Sequence, residues 1–163
     1  MNSSILVMLV VTIALAFIAN AIFHFYFKQK HLAFMQELEG RDYCLSKEAD
    51  IEMDFTSRFS LKYHYYTGDV IFSKNGIYLL KRRRYGFGQC APISVLTNGG
   101  ANLGLQNLAH FHFYDKLSLI KGRLVIETPK NGNFNAKVKA NIKLTDNTDI
   151  PMLIEKFDLN PKS

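Results

Sequence analysis

Lys81-Arg82-Arg83-Arg84 is the densest run of charge in the chain, and Tyr85-Gly-Phe-Gly follows it directly. Four cations beside an aromatic ring suit non-covalent capture of phosphate or an anionic lipid headgroup. Each Lys or Arg near an anionic surface contributes about 1 kcal/mol. The same run also serves as a solvated strand end that discourages edge-to-edge pairing. Nucleic-acid binding would need basic residues tracking a groove with interleaved aromatics. Tyr85 and Phe87 supply rings, but the apolar N-terminal segment argues for a membrane, and no nucleic-acid partner is expected.

Other reactive residue types stand without the company that chemistry requires. His110 and His112 share one strand face and, with His64, would bring three imidazoles together. No Cys, Asp or Glu has supporting spacing, so a partly exposed histidine pair is the reading and no metal is expected. Asn98-Gly-Gly-Ala-Asn-Leu-Gly104 is rich in glycine, yet no Gly-Lys-Ser/Thr follows and no strand–turn–helix frames it, so it reads as a loop. No Ser occupies a nucleophile elbow, and no Cys–His or carboxylate pair has a persuasive context. No catalytic residue and no cofactor are expected, and the chain does not read as an enzyme.

The elements that must position these residues begin with an apolar stretch. Ile5 to Phe27 spans 23 residues without Asp, Glu, Lys or Arg, interrupted only by Thr12, Asn20 and His24. As a helix it is about 34 Å long, against a hydrocarbon core of about 30 Å. A lone segment in lipid must satisfy its backbone internally, which only a helix does. Ala19-Asn20-Ala21 offers the small-x-small pattern of a cleaved signal. However, Met1 to Ser4 carry no basic residue and the apolar run continues past that point, so a retained single-pass anchor is expected.

Lys28, Lys30 and Arg41 follow the stretch and nothing basic precedes it. The positive-inside rule then leaves residues 1–4 outside and the C-terminal domain in the cytoplasm, at the cell (inner) membrane. Cys44 and Cys90 read as free thiols in a reducing compartment; a disulfide between them would require the opposite orientation. Asn20 and His24 lie four apart on one helical face and are candidates for pairing with another helix.

Residues 28–54 read as a juxtamembrane helix that stops at Gly40, then an acidic linker in which Glu48, Asp50, Glu52 and Asp54 alternate. Residues 55–163 form the soluble domain and carry sixteen Lys/Arg against seven Asp/Glu. Strand signals recur along it: Phe59 to Tyr65, then a turn at Tyr66-Thr-Gly-Asp into Val70–Phe72. An Asn75-Gly76 hairpin and Ile77 to Arg83 follow. Ala91 to Leu96, Leu108 to Tyr114, Leu117 to Lys121 and Arg123 to Thr128 follow in turn. Phe134 to Leu144 alternates most cleanly, with Val138, Ala140 and Ile142 inward and Lys137, Lys139 and Lys143 outward. Asn147-Thr-Asp149 supplies N-cap residues for a short closing helix built on Met152, Leu153, Ile154 and Phe157.

About seven antiparallel strands closed by a C-terminal helix resemble the pleckstrin-homology-like superfold, particularly the bacterial PH and GRAM-like domains that ride on membrane segments. Asp69–Arg83, Leu117–Thr128 and the strand 134–144 leading into helix 149–157 carry the resemblance. The chain departs from eukaryotic members in having no Trp. A different small antiparallel barrel or an α+β sandwich satisfies the same pattern. The resemblance implies headgroup recognition near the first hairpin, which falls on Lys81–Tyr85. The expected function is a membrane-anchored, non-catalytic binding or scaffolding module that contacts a protein partner or an anionic lipid surface. A structural subunit of a larger membrane complex is the alternative.

Overall fold

The computed structural model of the chain describes residues 3–57, 60–74, 76–82, 93–98, 109–129, 136–145 and 149–161. Its first element, α1 (Ser3–Leu38), is one unbroken helix of 36 residues, about 54 Å long. Among the described residues it is the helix long and apolar enough to cross a membrane. Thr12 sits in it at no polar cost, because its hydroxyl donates to the carbonyl of Met8 at 2.8 Å. Gly40, with φ +80°, ends the helix as expected, and the Arg41 amide closes onto the Leu38 carbonyl at 3.0 Å.

The acidic stretch after Gly40 is not a linker. It is β1 (Tyr43–Thr56), a 14-residue strand in the middle of the sheet. The alternation of Glu48, Asp50, Glu52 and Asp54 is half of a strand pattern whose other half is Ala49, Ile51, Met53 and Phe55. Ala49, Ile51 and Met53 are buried, and Phe55 packs against the same core. The β domain therefore starts at about Tyr43 rather than at residue 55. Nor does the chain turn at Tyr66–Asp69. It runs straight through β2 (Leu61–Ser73), and Gly68 is needed because a Cβ there would lie 2.7 Å from the Leu80 carbonyl oxygen.

β3 (Gly76–Arg82), β4 (Ile93–Thr97), β5 (Ala109–Phe113), β6 (Lys116–Ile120), β7 (Arg123–Glu127) and β8 (Lys137–Lys143) complete the sheet, in the order β5-β4-β3-β2-β1-β8-β7-β6. Every pairing is antiparallel except β4 with β5, which is parallel. A parallel neighbour needs a crossover connection, and residues 99–108 between β4 and β5 lie outside the described residues. The two edge strands, β5 and β6, are joined only by Tyr114 and Asp115. Opposite edges of one sheet can be that close in sequence only if the sheet curls, and it forms a half-barrel.

Curling creates two cores. Inside lie Ile51, Phe72, Leu79, Leu124 and Ile142, capped by α2 (Ile150–Lys156) through Ile150, Leu153 and Phe157. Asp149 N-caps α2, accepting the Met152 amide at 3.2 Å. Val138, Ala140 and Ile142 face inward from β8 as the alternation requires, whereas Met152, expected on the apolar face of α2, is exposed. Outside, the last turns of α1 lie on the convex face of β2, β3 and β4. There Phe34 and Leu38 are 0% and 1% exposed, packed with Ile71, Tyr78, Leu80, Ile93 and Val95. Burying each such side chain contributes about 1.5–3 kcal/mol.

Candidate functional site

An amphipathic recess lies where α1 meets the sheet. Lys28, His31, Leu32 and Met35 recur at helical spacing on the side of α1 that faces the sheet, one turn beyond the apolar stretch. Opposite them stand Leu45 and Lys47 of β1, Asp69 and Ile71 of β2, and Leu80 of β3. Together they bound a half-open cavity of about 260 Å³.

A β-bulge fixes the far wall. The pairing of β1 with β2 shifts register between Ser46 and Ala49, and Glu48 takes φ +58°. The Glu48 amide donates to Asp69 Oδ1 at 3.2 Å, and the Thr145 hydroxyl lies 3.0 Å from the carbonyl oxygens of both Lys47 and Glu48. Lys47 is thus presented from a pinned backbone, while Lys28 is presented from a helix. His31 and Asp69 are buried in the wall, and the remainder is apolar. Charged side chains at its mouth and apolar ones along its wall let the recess hold a charged group against hydrocarbon.

A second recess of about 290 Å³, at the other end of the docked helix, is bounded by Arg41, Asp42, Ser73, Lys74, Lys156 and Phe157. Lys156 Nζ lies 3.1 Å from Asp42 Oδ1 in an exposed ion pair, which contributes little.

The residues singled out by type fall elsewhere. Lys81 is on the inner face of β3, its ammonium 4.7 Å from the centre of the Tyr66 ring. Arg82 ends β3, and Arg83, Arg84 and Tyr85 lie outside the described residues, as do Gly99–Gly104 and Cys90. Cys44 is free and half-buried. Asn20 and His24 do share one face of α1 and are half-buried, whereas Phe23 and Phe25 beside them are exposed.

His64 and His112 both pack on one ring: their imidazoles lie 5.4 and 6.0 Å from Phe55, edge to face. Burial, helped by the neighbouring charge of His110, pushes the His112 pKa down. Among the described residues no three His, Cys, Asp or Glu side chains converge as a metal would need. Burial also pushes the phenols of Tyr66 and Tyr114 well above the ordinary range.

Lys28, His31, Lys47 and Asp69 were not evident as a group from the sequence. Lys28 and His31 carry a faint signal, sharing a face with Phe34 and Leu38. Lys47 is hidden by the bulge that carries it, and Asp69 by a stretch that reads as a turn but is the middle of β2. The chain matches no protein-family model, no curated protein and no solved structure, so the pleckstrin-homology-like resemblance stays a likeness of sequence pattern.

Proposed function

We propose that the chain is a membrane-anchored, non-catalytic binding module. In this reading α1 crosses the bilayer once, with its N-terminus outside, and its last turns hold the β domain against the cytoplasmic surface of the inner membrane. The domain then contacts a protein partner or the anionic lipid surface. One observation supports this most: a single unbroken helix is exposed on every side from Ser4 to Ala19 and then buries Phe34 and Leu38 completely in the sheet. Such an arrangement leaves no loose tether between span and domain. Lys28, Lys30 and Arg41 at the domain end support the orientation.

Two measurements test it. The full-length protein should stay in the membrane pellet after alkaline extraction. In a Cys44→Ser/Cys90→Ser background, Lys121→Cys on the exposed β6–β7 turn should resist an impermeant maleimide in intact cells and react after lysis. Release by alkali removes the anchor; labelling in intact cells reverses the orientation.

The alternative, an accessory subunit of a larger membrane complex, is favoured by one feature. Ile13, Ala16, Phe17 and Asn20 line a shallow groove of about 310 Å³ on the apolar half of α1, a surface that suits a side chain of a partner helix. A detergent-extracted assembly that Asn20→Leu breaks apart would support that reading. A hydrogen bond of this kind contributes about 0.6–2 kcal/mol between membrane helices.

A further inference from the structure

We propose that the recess between α1 and the bulged corner of β1 and β2 binds the phosphodiester of one bilayer glycerophospholipid. The proposal rests on the membrane placement of α1 put forward above.

Depth is the first reason. The apolar stretch Ile5–Phe27 covers about 34 Å and the hydrocarbon about 30 Å, so headgroup phosphates lie level with the first turn after Phe27. Lys28 and His31 occupy that turn, and both bound the recess. Chemistry is the second. The ammonium groups of Lys28 and Lys47 come from different elements, and Leu32, Met35 and Leu45 offer an apolar wall beside them. A phosphate ester joined to glycerol and acyl chains matches both surfaces at once, as neither an ion nor a plain hydrocarbon does.

Charge decides between the sources of phosphate. With the His31 imidazole neutral, two lysines stand against the single carboxylate of Asp69, which leaves one positive charge to neutralise. A phosphodiester carries one negative charge. Free phosphate near neutral pH carries about 1.5 to 2 and would leave the recess negative. Asp69 also holds the bulge through the Glu48 amide, so its carboxylate stays in the wall when the recess is filled.

The test uses the full-length protein in a non-ionic detergent, titrated with short-chain phosphatidylglycerol, with bound lipid per chain read by native mass spectrometry. One phosphatidylglycerol should bind per chain and saturate. Diacylglycerol of the same chain length should not bind there, and inorganic phosphate in large excess should not displace the lipid. Lys28→Gln/Lys47→Gln should weaken binding by about thirtyfold, each lysine being worth roughly a factor of five near an anionic group. Lys28→Arg/Lys47→Arg should keep it. Lys30→Gln should leave binding unchanged, since the Lys30 ammonium lies 4.7 Å over the Tyr26 ring rather than in the recess.

Absence of saturable binding overturns the proposal, as does equal binding by the double Gln variant. Equal binding of diacylglycerol would mean that only the apolar wall matters, and displacement by phosphate would mean an ion site; either also overturns it. Alkaline extraction of the same membranes separates the two readings. A chain that resists extraction yet binds no lipid loses only the lipid site, whereas a chain that alkali releases loses its anchor.

Discussion

The two ends of α1 differ in composition and in what they pack against. From Ile5 to Phe17 the apolar side chains are exposed all round, from 48% at Ile13 to 74% at Met8. From His31 to Leu38 one face is buried completely, while Gln36 and Glu37 occupy the other. The lower end is an ordinary amphipathic helix with one face for a core and one for water. The upper end has no aqueous face, so its surface suits hydrocarbon. One helix thus carries two kinds of surface in series, and the change between them falls at Lys28.

That contrast can be broken by cutting the same ring from both ends. Phe34→Ala should destabilise the β domain by about 3–5 kcal/mol, because it empties a site packed against Tyr78, whose ring centre is 4.9 Å away. Phe17→Ala should leave the denaturation midpoint of the domain unchanged. Equal effects would mean that α1 does not treat its two ends differently. A charge makes the converse cut. Leu15→Arg, near the middle of the apolar stretch, should cost about 2.5–3.5 kcal/mol of membrane insertion, read as protein lost from the alkali-washed pellet. The domain should still unfold at the wild-type midpoint.

The legible parts of the chain are those where one pattern has one cause. The apolar helix, its stop at Gly40 and the alternation of β8 follow from residue type and period alone. β1 was hidden because its acids alternate as conspicuously as its apolar residues, and only pairing shows what they face: Glu52, for example, meets Arg123 at 3.0 Å. Gly68 reads as a turn residue because sequence cannot reveal a carbonyl arriving from β3. The parallel β4–β5 pair depends on a crossover whose course no local period encodes. The recess was least legible of all, since Lys47 reaches it through a register shift and Asp69 sits in a stretch that reads as a turn.

Between the two ends of α1 and the barrel interior, the tyrosines offer a finer comparison. Tyr114 donates its hydroxyl to the Leu159 carbonyl, and Asn98 Nδ2 donates to the carbonyls of Asp158 and Asn160 at 3.0 and 3.1 Å, tying the C-terminal tail over the barrel end. Tyr114→Phe should cost about 1–3 kcal/mol, since it leaves a buried carbonyl unpaired. Burial raises the phenols of Tyr66 and Tyr114 in the fold, so stability is complete below the ordinary phenol value of about 10 and falls as the pH rises above it. Tyr78 is raised mainly by burial as well, under the docked end of α1. Phe34→Ala uncovers Tyr78, so that variant should show a shallower alkaline loss than wild type, measured as unfolding free energy from pH 8 to 11. An unchanged slope would mean that α1 does not shield that phenol.

The smallest effect lies at the acid end and leaves α1 alone. His112 is half-buried against Phe55 with His110 two residues away, and its pKa is pushed below the ordinary imidazole value of about 6.5. The fold therefore prefers the neutral ring. Its contribution is fully present above that value and is lost as the pH drops, because the unfolded chain takes up the proton first. Denaturation between pH 7.5 and 5.5 should show stability declining toward acid, and His112→Asn should flatten that decline. His110→Asn should flatten it less, since burial is the larger cause and the neighbouring charge the smaller. Phe34→Ala should leave this acid slope as it is in wild type, because the imidazole sits on the barrel side of the sheet. A slope that followed Phe34 instead would show that the docked helix and the barrel interior do not act as separate packing units.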